Sequence, residues 1–336
     1  MAATRTLTEV SNLFQRLLQT FPEGISYCFG YGSGVFAQSG ANAQSARMID
    51  LIFTVPNPNE WHRLNIEKNP KHYSFLRWGG HRLVASYQQH WGAKVYFNTL
   101  VPIPSDNVVI KYGVVSQSDL VADLLDWSEL YLAGRLHKPV KTVISSSDAE
   151  LTSALNQNLH SAVHAALLLL PEHFTETQLY NTITGISYIG DFRMTFGEDK
   201  NKVNNIVTPM VDNFRKLYTP VFNTLNDYME IQETGICCQD CGQPAKLHHL
   251  NQLPREPQRA LVRYWNRGSG NLRQDSEDVL RAVSHDNDCD LILSRCLADI
   301  VWRSSVRQSL KGIATAGIIK SIKYSSAKVK KMFKSI

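Results

Sequence analysis

The sequence predicts a mixed α/β domain, then a helical domain, then an amphipathic helix at the C-terminus. Three observations carry that reading. Short β-rich runs alternate with helix signals over the first 145 residues. After Ser145-Ser146-Ser147-Asp148 the apolar residues recur at helical spacing. The last stretch sorts lysines and bulky apolar residues onto separate faces of a helix. A chain of 336 residues exceeds one average domain and can bury a sizeable core. Its 43% apolar and 10% aromatic content excludes a disordered chain. Six cysteines in this length exclude a dense disulfide scaffold. The longest tight apolar run, residues 165–170, is far too short to span a bilayer.

The elements follow in order. Leu7, Val10, Leu13, Phe14, Leu17, Leu18 and Phe21 have helical spacing, so residues 6–21 read as an amphipathic helix ending at Pro22. Residues 26–31 and 49–55 are β-rich and read as neighbouring strands. Asn57 as cap, Pro58 at the first helical position and Glu60 at the third begin a helix that stops before Pro70. Residues 83–87, 94–101 and 108–115 read as strands and 119–132 as a helix. Beyond residue 145, helices are expected over 151–170, 176–188 and 201–218, with a polar loop or short hairpin at 191–200. Residues 233–270 are rich in Gly, Pro, Cys and His and read as an insertion or flexible connection. Residues 275–301 are helical again. The organisation is thus 1–145, 146–230, 231–272, 273–312 and 313–336, without an internal repeat.

The most informative stretch is Tyr31-Gly32-Ser33-Gly34-Val35-Phe36, a strand running into a glycine turn. Such a turn brings backbone amides and the Ser33 hydroxyl close to phosphate oxygens. Neither a Walker loop nor a dinucleotide fingerprint matches the spacing. Asp50 then opens the strand that follows. A Gly-Ser turn followed by a strand-borne acid is the layout of nucleotidyltransferases, in which carboxylates hold Mg²⁺ against a triphosphate. The plainer alternative is a turn, and a carboxylate that ends a strand. In that superfamily a second acid usually stands two residues on; here the place holds Ile52.

These residues, with several strings beyond them, resemble the mitochondrial phosphatidate cytidylyltransferases of the translocator assembly and maintenance type. The strings are DLIFTV (50–55), Trp61 and His62, Asn65, Asn69, HYSFL (72–76), IKYGVV (110–115), LYLAGRL (130–136), KPVK (138–141), GDFRM (190–194), GEDK (197–200) and SSVRQSLKG (304–312). They run in order along nearly the whole chain apart from about residues 230–270. The resemblance implies an α/β nucleotidyltransferase-like domain, a helical winged-helix-like domain and a membrane-contacting C-terminal tail. It implies Mg²⁺-dependent transfer of CMP from CTP to phosphatidic acid, giving CDP-diacylglycerol and pyrophosphate for cardiolipin synthesis. It also implies a peripheral position on the matrix face of the mitochondrial inner membrane. The family lacks the second acid as well, so Ile52 departs from the superfamily and not from the family.

Phosphatidate attacks through an oxygen that is already anionic, so metal and cations should do most of the work. The expected catalytic residues are Ser33, Asp50 and Lys111. Tyr31, Gly32, Ser33, Gly34, Asn65, Asn69, His72, Tyr73, Arg135, Arg193 and Lys200 are candidates for nucleotide or phosphate binding, with Lys138 a further one. Asp50 is the expected metal ligand, and Asp191 is a candidate for the missing acid. His62, Asn65 and Asn69 share one helix face, read as polar and facing ligand or solvent. Without the resemblance, Lys111 reads as an edge-strand lysine and the 191–200 cluster as a solvated loop. Cys237, Cys238 and Cys241, with His248 and His249 nearby, resemble half a zinc site. Reduced thiols in a loop are the favoured reading of them.

The formal charge of +5 is unevenly spread. Nine Lys or Arg and no acid lie in 303–336, leaving the rest of the chain at −4. At about 100° per residue, Lys320, Lys323, Lys328, Lys330, Lys331 and Lys334 occupy one arc, and Ile318, Ile319, Ile322, Val329, Met332, Phe333 and Ile336 another. This suits a helix lying on anionic inner-membrane lipid, with Lys320, Lys323, Lys330, Lys331, Phe333 and Lys334 as its contacts. An ordinary terminal helix packed on the core is the alternative. A nucleic-acid arm needs no apolar stripe, so no nucleic acid is expected. Arg5 and Arg16, with Glu9 the only acid nearby, are compatible with import without forming a typical transit peptide. Two other functions stay open at this level: a nucleotidyltransferase acting on nucleic acid or a soluble small molecule, and a non-catalytic assembly factor.

Overall fold

The structure is a computed structural model and describes residues 7–36, 48–196, 199–232, 235–267 and 273–317. The first half contains α1 (Leu7–Gln19), β1 (Tyr27–Tyr31), β2 (Ile49–Val55), α2 (Pro58–Lys68), α3 (Gly80–His90), β3 (Tyr96–Ile103), β4 (Val108–Ser116), α4 (Gln117–Asp126), α5 (Ala133–Leu136) and β5 (Lys141–Ile144). Its five strands form one sheet in the order β3-β4-β2-β1-β5. β2 and β4 run parallel and the other neighbours are antiparallel. Sequence chemistry sets the start of α2: the Asn57 side chain accepts from the Glu60 amide at 3.2 Å, and Pro58 fills a position that needs no donor.

The second half contains α6 (Ala149–Leu169), β6 (His173–Thr175), α7 (Glu176–Gly185), α8 (Phe192–Phe196), α9 (Lys202–Val207), α10 (Val211–Phe222), β7 (Met229–Ile231), β8 (Ile236–Gln239), α11 (Gln243–Asn251), α12 (Arg255–Asn266), α13 (Ser276–His285) and α14 (Cys289–Ala316). A small sheet has the order β6-β8-β7. One apolar cluster runs from Tyr27, Phe29 and Ile52 of the large sheet to Val163, Leu261 and Ile300 of the helices, so both halves share a core. No described helix is long and apolar enough to cross a membrane.

Several expectations are corrected. Residues 83–87 are helical within α3, where Val84, Ala85 and Gln88 form a buried helical stripe. Residues 201–218 split at a 3-10 turn over Thr208–Met210 that contains Pro209, and 275–301 splits into α13 and α14. The 191–200 stretch holds α8. Most of 233–270 is regular, comprising β8, α11 and α12. Lys311 belongs to the interior: it is 2% exposed, and its Nζ donates to the carbonyls of Gln88 (2.9 Å) and Trp91 (2.7 Å).

The helix expected over 119–132 stops at Asp126. Trp127 and Leu130 take left-handed backbone angles, and the chain wraps round the carboxylate of Asp123. Oδ1 accepts from the amides of Glu129 and Leu130, and Oδ2 from those of Tyr131, Leu132 and Ala133, at 2.8–3.1 Å. Asn158 on α6 clasps the same loop. It accepts from Trp127 Nε1 at 2.8 Å and donates to the Ala133 carbonyl at 3.1 Å. Asp123→Asn exchanges one acceptor oxygen for a donor aimed at amide donors. Urea unfolding should show a loss of about 3 kcal/mol.

Candidate active site

The sheet register builds the centre of the site. Tyr31 stands opposite Asp50 across the β1–β2 pair, and Asp50 opposite Lys111 across the β2–β4 pair. Cross-strand partners share a face of the sheet, so the three side chains form one row. Lys111 Nζ lies 3.4 Å from Asp50 Oδ1 and 4.5 Å from the centre of the Phe97 ring. Both charged groups keep some exposure, 15% and 21% of their side chains, which leaves them reachable by a ligand.

The glycine turn is pressed against that row. Gly32 has φ +77, a conformation that favours glycine, and its carbonyl accepts from the amides of Val35 and Phe36. A Cβ on Gly34 would come within 2.2 Å of the Met48 carbonyl oxygen, and one on Gly32 within 3.5 Å of Asp50 Oδ2. Only glycine fits at position 34 against the start of β2.

Two more cations converge on the row, Arg135 from α5 in the first half and Arg193 from α8 in the second. The Arg135 guanidinium lies 3.8 Å from the centre of the Tyr131 ring and 5.4 Å from that of Tyr31, and donates to the Tyr131 carbonyl. Arg193 is held by Asp191: Nε donates to Oδ1 at 2.9 Å and Nη2 to Oδ2 at 2.5 Å. Burial of Tyr131 alone would raise its hydroxyl. The positive charges of Arg135, Arg193 and Lys111 outweigh that and bring it below its ordinary value. Tyr31 is pushed the other way, by burial first and by Asp50 among its neighbours. Among the described residues, no well-aligned hydrogen bond reaches the buried Arg135 Nε or the buried Tyr31 Oη. A cluster of this kind is arranged to receive negative charge. Lys138, next along, donates to Ser187 Oγ at 3.0 Å and to the Gly134 carbonyl. Burial, then the charges of Arg135 and Lys202, push its ammonium down to about 7.

The structure therefore brings together Tyr31, the Gly32-Ser33-Gly34 turn, Asp50, Lys111, Arg135 and Arg193. It sets four candidates elsewhere. Asn65, Asn69, His72 and Tyr73 lie across the sheet, around Tyr112, whose side chain points away from that of its neighbour Lys111. Asn65 is fully buried and donates to Tyr73 Oη and Tyr112 Oη at 2.9 Å each. His62, also fully buried, donates through Nε2 to Gln88 Oε1 and accepts from Tyr73 at Nδ1, both at 2.8 Å. The face expected to meet ligand or solvent is thus an internal network. Lys200 is exposed; Lys202 is the cation whose charge reaches Lys138.

The acid missing at Ile52 is not replaced there. Ile52 is fully buried, and its Cδ1 would lie 2.8 Å from a Cβ on Gly113. Asp191 is 3% exposed with both oxygens on Arg193, so it serves to aim that guanidinium and is not an open carboxylate. Sequence reasoning missed Tyr131 and Asp123. The string around Tyr131 was a signal for the first, since a tyrosine four residues before Arg135 in a helix-like stretch places the two side by side.

Family and relatives agree with one another. The profile of the family described as phosphatidate cytidylyltransferase, mitochondrial, matches residues 14–331. A Drosophila melanogaster protein with that name is 46% identical over 343 residues, covering 96% of this chain and 99% of its own length. Relatives with the same name from Danio rerio and Caenorhabditis elegans are 43% and 38% identical over 323 residues each, covering 96% of this chain and 94% and 99% of their own. The chain belongs to the mitochondrial phosphatidate cytidylyltransferase family.

Proposed function

We propose that this chain transfers CMP from CTP to phosphatidic acid, releasing pyrophosphate and giving CDP-diacylglycerol for cardiolipin and phosphatidylglycerol synthesis. The observation that carries this reading is the row of Tyr31, Asp50 and Lys111 beside the Ser33 turn, faced by Arg135 and Arg193. We read the five-stranded sheet and its helices as nucleotidyltransferase-like, and the helices with the small sheet as winged-helix-like.

The turn would hold the triphosphate, with Ser33 at its tip. Lys111 would exchange its contact with Asp50 for a phosphate oxygen. Arg135 and Arg193 would hold the second anion, so that two negatively charged substrates share one site. The phosphatidate oxygen is already ionised, so no residue has to remove a proton. Asp50 fits Mg²⁺, which commonly takes one or two carboxylates and completes its shell with phosphate oxygens and water. When bound, the ion neutralises the triphosphate and favours departure of pyrophosphate.

A lipid substrate calls for a bilayer surface, and the matrix face of the inner membrane is the proposed place. Phe75, Trp78, Leu83 and Trp91 are exposed along α3 and the 3-10 stretch before it, Trp78 at 80%. Lys71 and Arg77 adjoin them. The last turn of α14 is tied to the same patch, since Ser74 Oγ donates to the Ala314 carbonyl at 2.9 Å. Aromatic rings mixed with cations suit an anionic lipid interface. The tail contacts Lys320, Lys323, Lys330, Lys331, Phe333 and Lys334 lie outside the described residues; we propose that they extend this surface.

Asp50→Asn and Lys111→Met should each lower phosphatidate-dependent pyrophosphate release from CTP by about 10²-fold or more; near-normal turnover in either would refute the assignment. Lys138 yields a pH prediction. Its folded value of about 7 leaves it partly neutral at neutral pH, and a phosphate beside it would raise that value, so nucleotide binding takes up a proton there. CTP should therefore bind more weakly as pH rises from 6.5 to 8.5. Calorimetry in buffers of different ionisation enthalpy should find an uptake that Lys138→Gln removes. Trp78→Ser with Trp91→Ser should cut partition onto cardiolipin-containing vesicles at least about tenfold, read by co-flotation.

A further inference from the structure

Three histidines meet inside the helical half, well away in sequence from the residues of the proposed reaction. His164 on α6 and His248 and His249 on α11 each offer a ring nitrogen within 4.8 Å of the others. Among the described residues this is the one group of three or more such side chains close enough to hold an ion. His164 and His249 are 4% and 2% exposed, and their Nδ1 atoms face each other at 2.9 Å. The half-buried His248 ring is stacked on Tyr228 with centroids 4.3 Å apart, which fixes its plane. His249 Nε2 is buried without a partner, so this ring has polar capacity that the described fold does not use. Nearby titratable groups are few: His160 beside His164 and Asp240 beside His249.

We propose that His164, His248 and His249 form a zinc site that clasps α6 to α11. Neutral imidazole is the ligand form, and the burial of His164 and His249 favours it. Imidazole ligands suit Zn²⁺ among the common dications, and Mg²⁺ prefers oxygen. Zinc–nitrogen bonds of about 2.0–2.1 Å put tetrahedral ligand atoms about 3.3 Å apart. Opening the present pair by a few tenths of an ångström meets that. A water takes the fourth position, next to half-exposed His248. The cysteines do not join: Cys238 Sγ contacts His173 Nδ1 at 3.2 Å, and Cys237 is fully buried on β8. The clasp has a consequence for the site, since α6 also carries Asn158, which holds the loop bearing Tyr131.

The test uses chelator-stripped full-length protein titrated with Zn²⁺ against a chromophoric chelator, and with Co²⁺ as a visible probe. One Zn²⁺ per chain is expected, together with the d–d absorption of a low-coordinate cobalt site and a higher thermal midpoint with Zn²⁺. His248→Gln, at the exposed ligand, should weaken binding by more than the roughly 10–100-fold that loss of an outer-shell partner costs, and should abolish the thermal shift. Asp50→Asn should retain both signals. Zinc binding equal in wild type and His248→Gln, or lost in Asp50→Asn, would overturn the proposal. So would absence of binding in folded wild-type protein, checked by its circular dichroism.

Discussion

Five backbone amides converge on one carboxylate, that of Asp123, and much of the site hangs from that convergence. The chain after α4 has neither helix nor strand to satisfy its donors. Asp123 supplies acceptors for them inside the core, where water is scarce. The loop so formed presents Tyr131 and starts α5, which carries Arg135. Asn158 and Tyr218, which donates to the His137 carbonyl at 2.8 Å, fix the same segment from the second half. Arg135 is thus placed by a carboxylate that does not touch it.

The two faces of the large sheet do different work. One carries the charged row and the glycine turn. The other carries Tyr112, Asn65, His62, Tyr73 and Gln88 in a buried polar chain. Burial holds His62 down at about 4, so the network stays uncharged and its donors and acceptors alternate. Such a network fixes α2 and the segment after it against the sheet, and it gives the strands a rigid backing for the charged side.

Much of this was legible in the sequence where local chemistry decides. The Asn57–Pro58 helix start, β2 at 49–55 and the pairing of a glycine turn with Asp50 are local signals, and they agree with the structure. The failures share a cause. Asn65 and His62 look like a polar surface because sequence cannot show that Tyr73, Gln88 and Tyr112 arrive to satisfy them. The α3 segment looks like a strand because its β-prone residues outvote a helical stripe of three buried positions. Residues 233–270 look patternless because their elements are short and packed on distant ones. His164 lies 84 residues before His248, too far for any spacing rule to join them.

Helix α14 has 28 residues, about 42 Å of regular rise. At one level, Gly190 lies so close to Ala298 that a Cβ would meet its carbonyl oxygen at 2.5 Å, and Ser305 Oγ accepts from the Phe192 amide at 3.4 Å. This holds the segment carrying Asp191 and Arg193. Farther along, Gln308 Oε1 accepts from the Ala93 amide at 2.9 Å and Lys311 reaches the end of α3, which anchors β3 beside Lys111's strand. One residue added or removed between these levels would turn the second set of contacts by about 100° relative to the first. Lineages that diverge in this family should therefore tolerate length changes in surface loops but keep the count of residues between Ala298 and Lys311 constant.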